Sequence, residues 1–528
     1  MPTDCISYQK SGYFTPIMND YLDQAAQLQP FYNRFPTLEN FGRQMEEKQE
    51  DFNPEHRKTL VEILGQQYKS LSVSNKTKAN IAALEHPDTF TVTTGHQLNL
   101  FTGPLYFLYK IISAINLSKA LKTQYPDRDF VPVYWMATED HDFEEINYFN
   151  FKGKKFRWNR ESAGPVGRLS TKGLDEVFEV FALEAGLGNN ADCIKELFRK
   201  AYLNHENLSD ATRFLANELF GSHGLVILDA DEAELKREFI PYLKQELLQQ
   251  TAHKKVSETI GQLNGYDIQV NPREINLFYI GESLRERIIL EEGVYRVNNT
   301  QIRFTETEIL SELEKHPENF SPNVILRPLY QEVILPNLCY IGGGGELAYW
   351  LELQSFFESA NVTFPILLLR NSVLLATEKQ AAKADKLGLS WQDLFAKQSD
   401  LANRKIVSLS EFPIDFTPQR NLLQEQFANL HHIAEQTDAS FSGAVKAQEA
   451  KQLKGLDHLE KRLLKAQKRK HADELQRIFD LQNELFPNAG LQERQANFSE
   501  FYLERGDRLI EQLLAKLDPL SNRFDILV

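Results

Sequence analysis

The chain reads as an α/β protein built around a mostly parallel sheet, and three observations predict it. Short runs rich in β-branched residues stop abruptly at polar residues, the first of them leads through a tight turn into an amphipathic helix, and strand signals fade beyond about residue 372 in favour of long helical stretches. These patterns give about five strands.

The first strand spans 89–94 and stops at Gly95, which leaves His96 and Gln97 in the turn. Thr102-Gly103-Pro104 then reads as a helix start, followed by Leu105, Leu108, Ile112 and Ile115 at helical spacing. A second strand over 130–136 breaks from apolar to charged at Glu139-Asp140-His141-Asp142, where open parallel sheets bind ligands. Runs at 148–151 and 155–158 flank Lys152-Gly153-Lys154 as a hairpin that opens an insertion reaching about residue 220. The core resumes at 225–228 and ends in Asp229-Ala230-Asp231. A second insertion, 236–320, contains a strand-like piece at 276–280, with Arg273, Arg285 and Arg287 nearby. Strands over 324–329 and 333–335, the run Gly342, Gly343, Gly344 and Gly345, a helix over 346–357 and a strand over 364–369 complete the core. In the tail, Leu456, Leu459, Leu463 and Ala466 repeat by threes and fours, and Leu475, Ile478 and Leu485 continue the stripe after a break. This pattern predicts an antiparallel hairpin or coiled coil, and its seam predicts a homodimer through the C-terminal helices. The resulting division is core 1–150, insertion 151–220, core strand 221–235, insertion 236–320, core 321–378 and helical tail 379–528.

A chain of 528 residues exceeds what one hydrophobic core usually supports, so more than one domain or large insertions are expected. The net charge of −15 disfavours a general binder of nucleic acid or of an anionic membrane. Cys5, Cys193 and Cys339 lie far apart without Cys-x-x-Cys spacing, which fits a reducing, cytoplasmic setting and no thiolate zinc site. No stretch approaches the roughly 20 apolar residues of a membrane span.

Three strand ends carry candidate chemistry. At the first, His96 and Gln97 offer an imidazole and an amide beside backbone N–H groups suited to phosphate or a developing anion; equally, Thr102 caps the helix and His96 is a polar turn residue. At the second, a histidine between carboxylates could act as a tuned base, hold a metal, or orient an amine and a hydroxyl. Asp142, three residues before Glu145, equally reads as a capping-box start. A metal there needs a further ligand from elsewhere, so no metal ligands are assigned. At the third, the four glycines let backbone approach a ligand, with Glu346, Tyr349 and Trp350 within two turns; neither a Walker sequence nor dinucleotide spacing is present, and the bland alternative is a flexible loop. The basic run Lys461-Arg462, Lys465 and Lys468-Arg469-Lys470-His471 reads as a solvated face, or as a seat for a nucleotide phosphate. Cys339 reads as an inert core thiol.

In combination, Thr93-Thr94-Gly95-His96-Gln97 through Phe101-Thr102-Gly103-Pro104-Leu105-Tyr106 and Tyr109-Lys110-Ile111-Ile112-Ser113 resembles the bacillithiol-biosynthesis cysteine-adding family, the cysteine ligase BshC. So do Val131 to Ala137 with Glu139 to Phe143, Pro165-Val166-Gly167-Arg168, Ile341 to Trp350, and Leu485-Phe486-Pro487 with Leu491 to Arg494 and Asn497. The resemblance implies a Rossmann-like core of the class I aminoacyl-tRNA synthetase type, two connecting insertions and a C-terminal coiled coil joining a dimer. It further implies acylation of the amine of glucosaminyl-malate by cysteine, with ATP activating the cysteine carboxylate. The need for a divalent metal stays open. The family commonly has a second glutamine where this chain has His96, which moves weight to Gln97. On this reading Thr102, Gly103 and Gly342 to Gly345 cradle phosphates, with Gly95, Lys110, Glu139, Tyr349 and Trp350 beside the ligands. His96 and Gln97 stabilise negative charge, and Asp140, His141 or Glu346 takes the amine proton or holds sugar hydroxyls, with Asp142 alongside. The rival readings are a nucleotide-binding dimeric scaffold and a nucleotidyltransferase acting on another small molecule.

Overall fold

A central strand of a parallel sheet must be apolar on both faces, and β1, Thr89–His96, is buried along its whole length. The computed structural model describes residues 4–528. It places β1 beside β2 (Asp129–Met136) and then β3 (Val226–Asp229) on one side, with β4 (Asn337–Gly342) and β5 (Ile366–Leu369) on the other. The order is β5-β4-β1-β2-β3, every pair parallel. The chain therefore reverses its direction of travel across the sheet between β1 and β4, and the crevice at their carboxyl ends is where such folds bind ligands.

Two expected strands are absent. Residues 324–329 and 333–335 belong to α1, Leu326–Ile334, because Leu326, Leu329, Tyr330 and Val333 recur at helical spacing and bury one face. The sheet takes Asn337–Gly342 instead, with Cys339 fully buried in it. The helix expected over 346–357 is two short ones, Gly344–Trp350 and Gln354–Ala360.

The first insertion opens with the hairpin Tyr148–Phe151/Lys154–Arg157, whose turn residues Lys152 and Gly153 both have positive φ, as a two-residue hairpin turn requires. The second insertion is richer than one strand. It forms an antiparallel sheet of Leu277–Gly281, Leu284–Glu291, Val294–Val297 and Arg303–Phe304, closed by Phe320–Pro322 on its other edge. Ser372–Leu375 pairs in parallel with Arg523–Leu527, which pairs antiparallel with Asp4–Ser7. This three-stranded sheet lies within a region that the sequence pattern assigns to helix.

In the tail, Thr417–Ala434 and Ala439–Lys470 run antiparallel, tied by Arg420 to Asp457 (2.9 Å) and His431 to Glu449 (2.8 Å). The helix breaks at His471. Leu475, Ile478, Leu481 and Leu485 of Ala472–Leu485 pack back on the body, whereas Leu459 and Leu422 of the hairpin are exposed. The apolar stripe thus serves two surfaces. Among the described residues no helix is long and apolar enough to cross a membrane.

Candidate active site

A cavity of about 680 Å³ opens at the carboxyl ends of β1, β2 and β4, roofed by the second insertion. Its floor is an ion pair. Lys110, on the long helix Tyr106–Gln124 that covers β1 and β2, sends its Nζ back to the Gly95 carbonyl (2.7 Å) and to Glu346 Oε1 (2.5 Å). Glu346 also accepts from the Tyr340 hydroxyl (2.8 Å) and the Gly343 N–H (3.1 Å). Burial alone would raise its pKa, but Lys110, Tyr340 and Gly343 together hold it below the usual carboxylate range. Burial lowers Lys110, opposed by Glu346. With three donors already on it, Glu346 anchors Lys110 and Tyr340 and is not a free proton acceptor.

The glycine run is therefore neither a flexible loop nor a phosphate cradle. Gly342 ends β4, Gly343 caps the next helix, Gly344 and Gly345 form its first turn, and none of them lines the cavity. Close packing explains the first of them: a Cβ on Gly342 would sit 3.0–3.1 Å from Leu347, Glu346 and Tyr340. Trp350 is buried, stacked on Tyr340 at 4.5 Å between ring centroids, while Tyr349 faces the cavity and takes a 3.4 Å contact from Arg327.

His96 lines the cavity against Tyr106 and Phe107. Burial first, and Lys110 second, push its pKa down to about 3, so the ring is neutral. It hydrogen-bonds the backbone of Thr102, and its Nε2 is buried without a partner. The proton accordingly resides on Nδ1, and Nε2 is a bare acceptor. Such a ring cannot donate to a developing anion, which corrects that expectation. Gln97 fails it likewise, because its Nε2 already donates to Asp140 Oδ2 (2.8 Å) and Glu145 Oε2 (2.9 Å). Thr102 and Gly103 lie behind His96 and do not line the cavity; the helix starts later, at Tyr106, with no side-chain cap.

At the second strand end, Asp140 Oδ1 accepts from the backbone N–H of His141 (2.7 Å) and Asp142 (3.4 Å). Asp142 precedes a four-residue helix but makes no side-chain cap. His141 Nδ1 lies 2.6 Å from an Arg285 N–H, and since guanidinium only donates, Nδ1 accepts and the ring proton is on Nε2. Arg285 in turn stacks over Phe278 at 4.0 Å. Asp140, His141 and Asp142 present ligand atoms within 4.8 Å of one another, yet the Arg285 guanidinium holds the imidazole nitrogen a cation would need. Glu139 turns inward to Lys236 (2.7 Å), which also binds Asp231 (2.9 Å), and Asp231 is clamped by Arg168 at 2.8 and 2.9 Å. Burial raises the Glu139 carboxyl and Lys236 opposes the shift.

The structure thus brings together Gly95, His96, Gln97, Lys110, Glu139, Asp140, His141, Asp142, Glu346 and Tyr349, and leaves Thr102, Gly103, the four glycines and Trp350 outside. It adds Tyr106, Trp135, Tyr340 and the arginines 273, 285, 287 and 327. The cluster Arg273, Arg285 and Arg287 was visible in sequence without a role; Arg327 sat inside a segment read as a strand.

Comparison with known proteins points one way. Residues 1–371 match the model of the bacillithiol biosynthesis BshC N-terminal Rossmann-like domain, and residues 373–528 that of the BshC C-terminal coiled-coil domain. A protein of Flavobacterium johnsoniae named as cysteine ligase BshC is 66% identical over 527 residues, covering 100% of both chains. Its namesake from Cytophaga hutchinsonii is 39% identical, with 98% of this chain and 97% of the relative aligned. That of Bacillus cereus is 29% identical over 94% and 95%.

Proposed function

The chain belongs to the BshC family of bacillithiol biosynthesis, and on that premise we propose that it is a cysteine ligase joining the cysteine carboxylate to the amine of glucosaminyl-malate. Amide formation needs one carboxylate oxygen turned into a leaving group, and ATP supplies that activation. The single observation that carries the reading is the asymmetry of the cavity at the β1–β4 crevice. Arg273, Arg285 and Arg287 line its insertion side with Arg327 between, while the bare His96 Nε2 lines the opposite wall. Guanidinium groups match carboxylates and phosphates in bidentate geometry, as the two malyl carboxylates and a nucleotide require. A neutral acceptor suits the N–H of an incoming amine or a sugar hydroxyl.

The amine must lose one proton as the amide forms. Of the acidic residues at the mouth, Asp142 is exposed and does not cap its helix, so it is the carboxylate best able to take that proton, with Asp140 and His141 fixing Gln97 and Arg285 around it. The substrates are small molecules, the setting is the cytoplasm, and the exposed Leu422, Leu430, Ile433 and Leu459 of the tail hairpin are the seam of a homodimer.

The test is a mass-spectrometric assay of purified protein with glucosaminyl-malate and cysteine, with and without ATP and divalent metal. An ATP-dependent product 103 mass units heavier than the acceptor, roughly one cysteine residue, is expected. Product without ATP would overturn the activation step, and no product under any condition would overturn the substrates. Asp140→Ala and His141→Ala should each lose activity; full turnover in both removes this strand end from the mechanism.

A further inference from the structure

The turn that supports His96 is held in an unfavourable backbone shape by a residue almost 400 positions away. After Gln97 the chain passes through Phe101 (φ 47°) and Thr102 (φ 67°), two consecutive side-chain-bearing residues in the left-handed region, and then Gly103 (φ 60°). Such conformations persist only where the surroundings over-determine them. A Cβ at Gly103 would lie 2.5 Å from Asn99 Cβ, so that position admits only glycine.

What over-determines the turn comes from the C-terminal domain. Asn497, fully buried, donates from Nδ2 to the Phe101 carbonyl (2.7 Å) and the Gly103 carbonyl (2.6 Å). Its Oδ1 accepts from the Ser499 N–H (3.0 Å) and hydroxyl (2.6 Å), so both amide protons are committed to the turn and the amide has one orientation. The Leu105 N–H donates to the Ala496 carbonyl (2.8 Å), and the Phe101 N–H to the Tyr202 hydroxyl (2.8 Å). Between the two clamped carbonyls lies that of Thr102, the one His96 uses. Fixing it puts the imidazole proton on Nδ1 and turns the bare Nε2 into the cavity.

We propose that Asn497 is a positioning residue for the reaction: through the Phe101–Gly103 turn it fixes the tautomer and aim of His96, and so couples the C-terminal domain to the active site. The inference rests on the ligase reading for its kinetic consequence, but not for its structural one. The charged groups around the ring are Lys110 and Glu346 from the floor and Arg370 from the strand end behind it, with Tyr106 stacked against it. None of them touches Asn497.

Two variants separate positioning from mere stability. Asn497→Asp keeps the shape but sets a carboxylate oxygen against two carbonyls, and Asn497→Ala removes the clamp. Ser499→Ala weakens the same helix cap while leaving both bonds to the turn intact. With nitrogen-15 histidine labelling, and His96→Gln to identify the signal, the wild type should show a fixed Nδ1–H ring that does not titrate between pH 5 and 8. Both Asn497 variants should show a titrating ring or a tautomer mixture, and a tenfold or greater fall in kcat with an acid limb appearing near pH 6.5. Ser499→Ala should lower Tm with the His96 signal and kcat unchanged. An unaltered His96 signal in folded Asn497→Ala protein overturns the proposal. If the wild type forms no amide product, the ligase reading fails alone, since the labelled ring still scores this inference.

Discussion

The two rims of the cavity differ in how their charges are partnered. On the strand-end rim, Lys110, Glu346 and Tyr340 are buried and bonded to one another, and Gln97 has given away both amide protons. On the insertion rim, Arg273 is exposed and Arg287 half-buried, and among the described residues neither has a carboxylate within ion-pair distance. A pre-paired buried network is rigid and intolerant of loss, because removing one partner strands the other out of water. An unpartnered, partly solvated guanidinium gives up little when it meets a ligand, and little when it is deleted. The first rim sets geometry; the second supplies affinity.

The largest expected effect tests the first half of that contrast. Lys110→Met leaves Glu346 charged and buried, and should cost about 3–5 kcal/mol in urea unfolding together with activity. Adding Glu346→Gln should recover much of the stability and none of the turnover. If Lys110→Met unfolds like the wild type, the floor is not a coupled pair.

Next comes the joint between the rims. Glu352, almost fully buried, accepts from the Gln269 and Val270 N–H groups, and so anchors the insertion segment that leads to Asn271 and Arg273. Burial raises its pKa to about 7. Because the folded value lies above the unfolded one, the native state holds the proton longer. This contribution to stability is complete below about pH 4.5 and is lost as pH rises through 7. Glu352→Gln keeps an acceptor without the charge, and should match the wild type at pH 4.5 and exceed it at pH 8 by on the order of 2 kcal/mol. Equal Tm differences at both pH values would show that the carboxyl ionises normally.

A smaller change tests the second rim. Arg287→Ala should leave Tm within about 0.5 kcal/mol of the wild type and raise the acceptor KM roughly tenfold, with kcat little changed. A fall in kcat with constant KM would move Arg287 from binding to chemistry. The smallest effect on catalysis belongs to the tail: Leu422→Lys with Leu459→Lys should convert a dimer to a monomer by light scattering while kcat changes less than about twofold.

The parallel sheet was legible because β-branched runs such as Thr89–Thr94 and Phe130–Met136 stop at polar residues, a local signal of buried strands. The region 324–335 was misread because Val324, Ile325, Leu326 and Leu329 are apolar enough for a strand, and only the three-and-four spacing through Tyr330 and Val333 reveals the helix. Site residues at strand ends could be found from their position. The roles of His96, Gln97 and the glycines could not, since each depends on a partner remote in sequence or on packing: the Thr102 backbone, Asp140 and Glu145, and the Tyr340 ring against Gly342. Arg285 and Arg327 reach the cavity from separate elements, and no sequence period announces them.

Arg523–Leu527 lies between Asp4–Ser7 and Ser372–Leu375, so three segments from the two ends and the domain junction share one small sheet. During synthesis on the ribosome, the strand at 4–7 must wait for more than five hundred later residues to emerge before its hydrogen-bonding edge is satisfied, although domains generally fold as units in order of emergence. The nascent Rossmann-like domain would therefore leave the ribosome with an open strand edge, and chaperone dependence should be greatest in the interval before residues 523–527 dock.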